Sequence, residues 1–184
     1  MIPRHLLTAG LLWMALLSPA QTPGRRLEEY QVKAMYLGHI GAYTDRRDGA
    51  PYLEAGKPYR IGVVGKNPFE QHLATIYATQ TVKKAKVKVV FPRTPEEAQE
   101  CNMLFISRSE ADRLEEILGW VKGRPVVTVG DTRGYAQRGV MVNFLLEKDL
   151  VNWEVNLGSL RKSGLVMDSN FLDLAVRRLE GGER

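Results

Sequence analysis

Two serines one residue apart, Ser107 and Ser109, and a downstream acid, Asp131, are the residues of this chain whose types could support nucleophilic chemistry. A Ser–His–Asp arrangement also needs an imidazole between nucleophile and acid. Beyond His5 the sequence offers only His39 and His72, and both fall inside helix-like patterns, away from the strand ends where such a triad is assembled. There is no G-x-S-x-G elbow either, so a hydrolase is the weakest of the functional readings. The turn Gly65-Lys66-Asn67-Pro68 resembles a phosphate-cradling loop only in its first glycine. It lacks the Lys-Ser/Thr ending of a P-loop and the third glycine of a dinucleotide fingerprint, and Pro68 removes an amide that would bind the anion. One Cys and widely spaced His residues provide no metal shell, so neither metal nor cofactor is expected. What remains is a small-ligand reading, in which Asn67, Ser107 and Asp131 line a cleft at the carboxyl ends of parallel strands.

Two further clusters bear on binding. In Lys83-Lys84-Ala85-Lys86-Val87-Lys88 the lysines alternate with apolar residues, as on a strand with one solvated face, where lysine also discourages edge-to-edge aggregation; the functional alternative is attraction to an acidic partner or to anionic envelope lipid. In Trp153-Glu154-Val155-Asn156-Leu157 the alternation places Trp153, Val155 and Leu157 on one side and Glu154 and Asn156 on the other. An exposed Glu154 and Asn156 beside a sheet edge, with the adjoining Arg161, would present a partner-binding surface.

The elements that must position these residues follow from periodicity. A helix is predicted from Leu27 to about Tyr43, with Tyr30, Ala34, Leu37 and Gly41 at helical spacing, and Thr44 to Pro58 is read as a polar loop. Short apolar strands then alternate with helices: Ile61–Val64, a helix opened by Pro68 and running to Tyr77, Val87–Phe91, a brief helix capped by Thr94, Met103–Ile106, a helix capped by Ser109, and Val126–Val129. Successive strand-helix-strand units pair in parallel with right-handed crossovers. A short helix around Tyr135 is predicted next, followed by Val140–Leu146 and Val151–Val155 as an antiparallel hairpin across Glu147-Lys148-Asp149-Leu150. Two C-terminal helices, Leu157–Lys162 and Asn170–Leu179, complete a single-domain, three-layer α/β fold with a mostly parallel sheet, spanning 27–180.

The first twenty residues stand apart from that fold. Arg4 and His5 precede the uncharged run Leu6–Leu17 and the small residues Ser18-Pro19-Ala20, the pattern of a secretory signal peptide cleaved after Ala20. The run falls well short of the ~20 residues a membrane-spanning helix needs. Removing 1–20 leaves 164 residues and a formal charge of +4; residues 21–26, with Pro23 and Gly24, are read as a flexible tail. Export to the periplasm makes nucleic acid an unexpected partner despite the basic balance of 26 Lys+Arg to 21 Asp+Glu. Cys101 has no mate for a disulfide within the chain and, followed by apolar residues, is expected to be buried. Nothing in the composition excludes an oligomer.

Several segments together resemble the YfiR-like family of exported bacterial proteins: Glu29-Tyr30-Gln31-Val32-Lys33-Ala34, Ile61-Gly62-Val63-Val64-Gly65 with Asn67-Pro68-Phe69, Cys101 through Glu110, Thr128-Val129-Gly130-Asp131, Gly139 through Phe144, and Glu154-Val155-Asn156-Leu157 with Gly164-Leu165. The resemblance implies a non-enzymatic regulator, a periplasmic repressor that binds the periplasmic sensor region of a membrane diguanylate cyclase. A histidine kinase is an alternative partner of the same kind. It further implies relief by an outer-membrane lipoprotein and an output in cyclic-di-GMP, adhesion and biofilm. Members with redox control carry Cys pairs, so that property does not transfer to a chain with Cys101 alone.

Overall fold

The structure, a computed structural model, describes residues 23–181; the expected signal peptide lies outside them. The chain opens with α1 (Pro23–Ala42), which begins earlier than predicted and takes in part of the expected tail. Proline suits the first helical position because its missing N–H would have no partner there. On its inner side Ala34, Leu37 and Ile40 are fully buried. Gly38 permits the close approach of Tyr77, whose hydroxyl would lie 2.8 Å from an added Cβ and donates to the Ala34 carbonyl at 2.8 Å. The helix ends where Thr44 Oγ1 donates back to the Ile40 carbonyl (2.6 Å).

Thereafter come β1 (Thr44–Arg46), β2 (Tyr59–Val64), α2 (His72–Tyr77), β3 (Thr81–Val82), β4 (Ala85–Val90), α3 (Pro95–Gln99), β5 (Met103–Ile106), a 3₁₀ segment Arg108–Arg113, α4 (Leu114–Trp120), β6 (Val127–Gly130), β7 (Val142–Glu147), β8 (Leu150–Asn156), α5 (Leu157–Lys162), β9 (Leu165–Met167), α6 (Ser169–Asp173) and β10 (Arg177–Leu179). The main sheet runs β10-β8-β7-β6-β5-β2-β4-β3, and β1 pairs with β9 in a separate ribbon. Strands β4, β2, β5, β6 and β7 are mutually parallel, and β7–β8 is the expected antiparallel hairpin. The α1–α2 side buries Ile61, Val63, Phe69, Met103 and Phe105; the α3–α4 side buries Val64, Leu104, Ile106, Leu114 and Ile117. This is the α/β, mostly parallel, helix-flanked sheet read from the sequence.

Four local readings are corrected. The loop after α1 starts with β1, whose partner β9 occupies the stretch after Gly164. Pro68 does not open α2: Asn67 Oδ1 accepts from the Phe69 amide (3.0 Å), its Nδ2 donates to the Glu70 carbonyl (3.2 Å), and Glu70 takes φ +51°, so a side-chain-held turn precedes the helix. Residues around Tyr135 form turns rather than a helix, with the Tyr135 hydroxyl donating to the Ser107 carbonyl (3.1 Å). The last predicted helix stops at Asp173; Val176 N–H then donates to the Trp153 carbonyl (3.0 Å) and β10 pairs in parallel with Glu154–Asn156. The unpaired outer edge of β8 offers backbone partners that outcompete helix continuation.

Within β3–β4 the two turn residues are Lys83 and Lys84, at φ +50° and +65°. Two-residue hairpin turns of this hand favour Asn-Gly, and each left-handed Lys costs about 1 kcal/mol. Lys83→Asn with Lys84→Gly should therefore raise stability by about 1 kcal/mol after loss of the exposed Lys83–Asp45 pair, a gain of a few degrees in melting temperature by calorimetry.

Cys101 is buried, as expected, at 4% exposure, its thiol donating to the Glu97 carbonyl at 3.5 Å. Burial pushes the thiol up to about 11, outweighing the opposing pull of Arg60. Below about pH 7.5 the thiol is protonated in both states and contributes no pH dependence. Above that the unfolded chain ionises first, so stability falls as pH rises toward the folded value. Thiol labelling at pH 8 should accordingly be slow on native protein and complete only after unfolding, which a chromogenic disulfide reagent with and without denaturant measures directly.

Candidate functional site

Sheet order reverses between β2 and β5: the chain goes from β2 outward to β4 on one side and returns through α3 to β5 on the other. The loops leaving the carboxyl ends of β2, β5 and β6 therefore diverge there and leave a cleft. Asn67, Ser107 and Asp131 all line it, in a cavity of about 560 Å³. Gly65, at φ +88°, turns the β2 loop against the β5 loop; a Cβ there would lie 2.4 Å from Ser109 Oγ. That hydroxyl accepts from the Lys66 amide (2.9 Å), so Ser109 ties the two loops together. The predicted capping role belongs instead to Ser107, whose Oγ accepts from the Ser109 amide (3.5 Å) at the head of the 3₁₀ segment.

The floor of the cleft comes from α1, which sequence reasoning missed. Lys33 and Asp131 are nearly buried, at 3% and 4% side-chain exposure, and pair at 2.9 Å. Tyr30 donates to the same Asp131 oxygen (2.6 Å), and Glu29 closes an i,i+4 pair with Lys33. Lys33 also lies 4.4 Å above the Tyr30 ring, which packs edge-on against Phe69, itself edge-on to Phe105. The signal was present: Tyr30, Lys33, Ala34 and Leu37 share one helical face, and a lysine on a buried stripe needs a carboxylate to face it. This network fixes polarity at the cleft floor. The Ser107 and Ser109 hydroxyls are engaged with backbone amides and Glu110, while neither His39, beside Tyr36, nor His72, at the head of α2, lines the cleft.

Glu154, Asn156 and Arg161 do not form the exposed edge expected of them. Glu154 and Asn156 are 1% and 3% exposed. The Glu154 carboxylate accepts from Asn143 Nδ2 (3.0 Å) and Gln137 Nε2 (3.4 Å), and Arg177 of β10 approaches to 3.6 Å. Asn156 Nδ2 donates to the Ala136 carbonyl (2.7 Å), and its Oδ1 caps α5 by accepting from the Ser159 amide (2.8 Å). Alternation placed both side chains on one face of β8 correctly, but the turn 131–139 and the Arg177 side chain of the neighbouring β10 cover that face. Arg161 is exposed and pairs with Glu180 at 2.6 Å. Among the described residues no cluster of three or more His, Cys, Asp or Glu could hold a metal, and no helix is long and apolar enough to cross a membrane.

Comparison with solved structures finds the fold elsewhere at low identity. An ABC domain from Streptococcus pneumonia in complex with L-Trp aligns with TM-score 0.50 at 7% identity, over 73% of this chain and 59% of that one. A conserved domain protein from Vibrio cholerae O1 biovar eltor aligns with TM-score 0.51 at 10% identity, over 81% of this chain and 60% of that one. This chain thus spans about three fifths of the length of either, and the likeness is one of fold. No curated protein matches the sequence. A YfiR/HmsC-like family profile matches residues 30–176, from the Tyr30 that contacts Asp131 to the residue before β10. The chain belongs to the YfiR/HmsC-like family.

Proposed function

We infer that this chain is a periplasmic, non-enzymatic regulator that represses an inner-membrane signalling enzyme, a diguanylate cyclase, by docking on its periplasmic sensor region. The observation that carries the reading is the family match over 30–176, whose members fit a regulatory role. Support of a physical kind comes from α1 and the β7–β8 hairpin, where Val32, Leu146 and Leu150 are 38–66% exposed around a groove of about 580 Å³. Exposed apolar surface of that kind is what a protein partner covers. Repression by docking requires the regulator to bind the sensor's inactive arrangement more tightly than its active one, and an outer-membrane lipoprotein that competes for the regulator shifts the population back. Deletion of the gene should raise cyclic-di-GMP and surface attachment, and the tagged protein should retain a membrane sensor protein in pull-downs from envelope extracts. Unchanged cyclic-di-GMP together with an empty pull-down would sink the reading. Export is checked separately: envelope fractionation should find the protein in the periplasm, with Gln21 as its first residue.

A second reading is favoured by the convergence of Asn67, Ser107 and Asp131 on one cleft: a sensor for a small polar ligand seated over the Lys33–Asp131 pair. A thermal-shift screen against envelope metabolites tests it, since a ligand at 100 times its dissociation constant adds about 2.7 kcal/mol of apparent stability. A screen without a stabilising compound removes this reading and leaves the first intact.

A further inference from the structure

We propose that the lysine-bearing face of β4 is a docking surface for anionic phospholipid, one that seats the protein on a membrane. On β4 the side chains Ala85, Val87 and Val89 pack toward the core, while Lys86 and Lys88 are exposed on the opposite face. The ladder register sets Lys88 beside Arg60 of β2, and the turn adds Lys83 and Lys84. Strand β3 pairs only with Ala85 and Lys86, so the rest of this sheet edge is open. Below the turn a hollow of about 570 Å³ is lined by Lys57, Lys83, Lys84 and Lys86 and by one carboxylate, Glu54, which pairs with Lys57. That is room for a phosphodiester headgroup where lysines outnumber the acid. Three of the cations are already answered, Lys57 by Glu54, Lys83 by Asp45 and Arg60 by Glu100. Lys84, Lys86 and Lys88 have no acidic partner among the described residues.

The type of cation favours a lipid surface over an acidic protein. Protein interfaces concentrate their energy in aromatic and arginine anchors seated in pockets and are poor in lysine. Here the unanswered cations are all lysines on flexible stems, Lys84 in the turn and Lys86 and Lys88 on one face of β4, a diffuse array of point charges suited to a fluid anionic surface. Lys83 and Lys84, moreover, hold left-handed backbone positions that Asn-Gly would fill with less strain, so charge is retained at this turn at the expense of stability. The surface lies on the edge of the sheet remote from β8 and β10, so it leaves the α1–hairpin groove free for a protein partner. It does not depend on which enzyme that partner is.

The experiment is flotation of the purified protein with phosphatidylcholine vesicles, with and without phosphatidylglycerol. Binding should require phosphatidylglycerol and weaken as salt shortens the screening length from about 30 Å at 0.01 M to about 8 Å at 0.15 M. Each lysine should contribute about fivefold, so Lys84→Gln, Lys86→Gln and Lys88→Gln together should weaken binding on the order of 100-fold. The matching triple Arg variant should retain it. Circular dichroism melts of both variants confirm that the folded protein is being compared. Equal binding to both kinds of vesicle, no binding to either, or undiminished binding by the folded Gln variant would overturn the proposal. So would retention on an acidic polypeptide column by a protein that ignores the vesicles.

Discussion

Asp131→Ala should lower the unfolding free energy by about 3 kcal/mol or more, because it removes the acceptor shared by Lys33 and Tyr30 at the cleft floor. Lys33 would then keep only Glu29 to answer its charge, at a side chain 3% exposed. For a chain of this size such a loss corresponds to a melting temperature lower by about 6–12 °C. Lys33→Met should be damaging in the same way, since it strands Asp131 beside Glu29 without a cation. The double variant Lys33→Met/Asp131→Leu removes both charges of this pair but leaves Glu29 without its cation and the Tyr30 hydroxyl without this acceptor, so it should recover part of the loss. A double-mutant cycle by chemical denaturation should give a coupling energy above about 1 kcal/mol. An Asp131→Ala variant as stable as the parent would show that the pair does not organise the cleft. The same variant probes the sensor reading, since any ligand that stabilises the parent through Asp131 should lose its thermal shift.

The strands and their parallel order were legible because short apolar runs separated by capped helices admit few other arrangements. The three cleft residues were legible for a related reason: ligands gather outside the carboxyl ends of such strands, and Asn67, Ser107 and Asp131 each follow one. What was not legible depended on distant partners. Lys33 lies on the buried stripe of its helix and so needs a carboxylate, but only the fold shows that this carboxylate is Asp131, almost a hundred residues later in the chain. The helix predicted through Leu179 has the right periodicity, yet β8 offers Val176 a carbonyl and residues 177–179 a ladder, a competition that no local pattern encodes. Asn67 signals a turn as strongly as Pro68 signals a helix start, and only the left-handed Glu70 shows which prevails. The exposure of Glu154 and Asn156 failed for the same cause as the last helix: the alternation was right, and the cover came from elsewhere in the chain.

Glu154→Ala should then act first on the fold and only through it on any partner. The substitution removes the acceptor of Gln137 Nε2, the anion facing the exposed Arg177 and one of the two acceptors of the buried Asn143 Nδ2, which keeps only the Thr132 carbonyl (3.0 Å). The expected loss is about 2–3 kcal/mol. The edge strand β10 should loosen before the rest, because Arg177 ties it to Glu154 and to Glu147 (3.3 Å). Amide exchange should therefore accelerate at 177–179 and along the facing Glu154–Asn156 ladder while β2, β5 and β6 remain protected. Glu154→Gln keeps an oxygen for Asn143 and should lose less, about 1–2 kcal/mol. Arg161→Ala, at an exposed pair with Glu180, should change stability by less than about 1 kcal/mol and so reports on a partner without disturbing the fold. If Glu154→Gln, measured where it is fully folded, binds the sensor within about twofold of the parent, Glu154 is an internal strut and the docking face lies elsewhere. If it melts as the parent does yet loses the partner tenfold or more, about 1.4 kcal/mol, β10 must move aside on docking and expose Glu154 to the sensor.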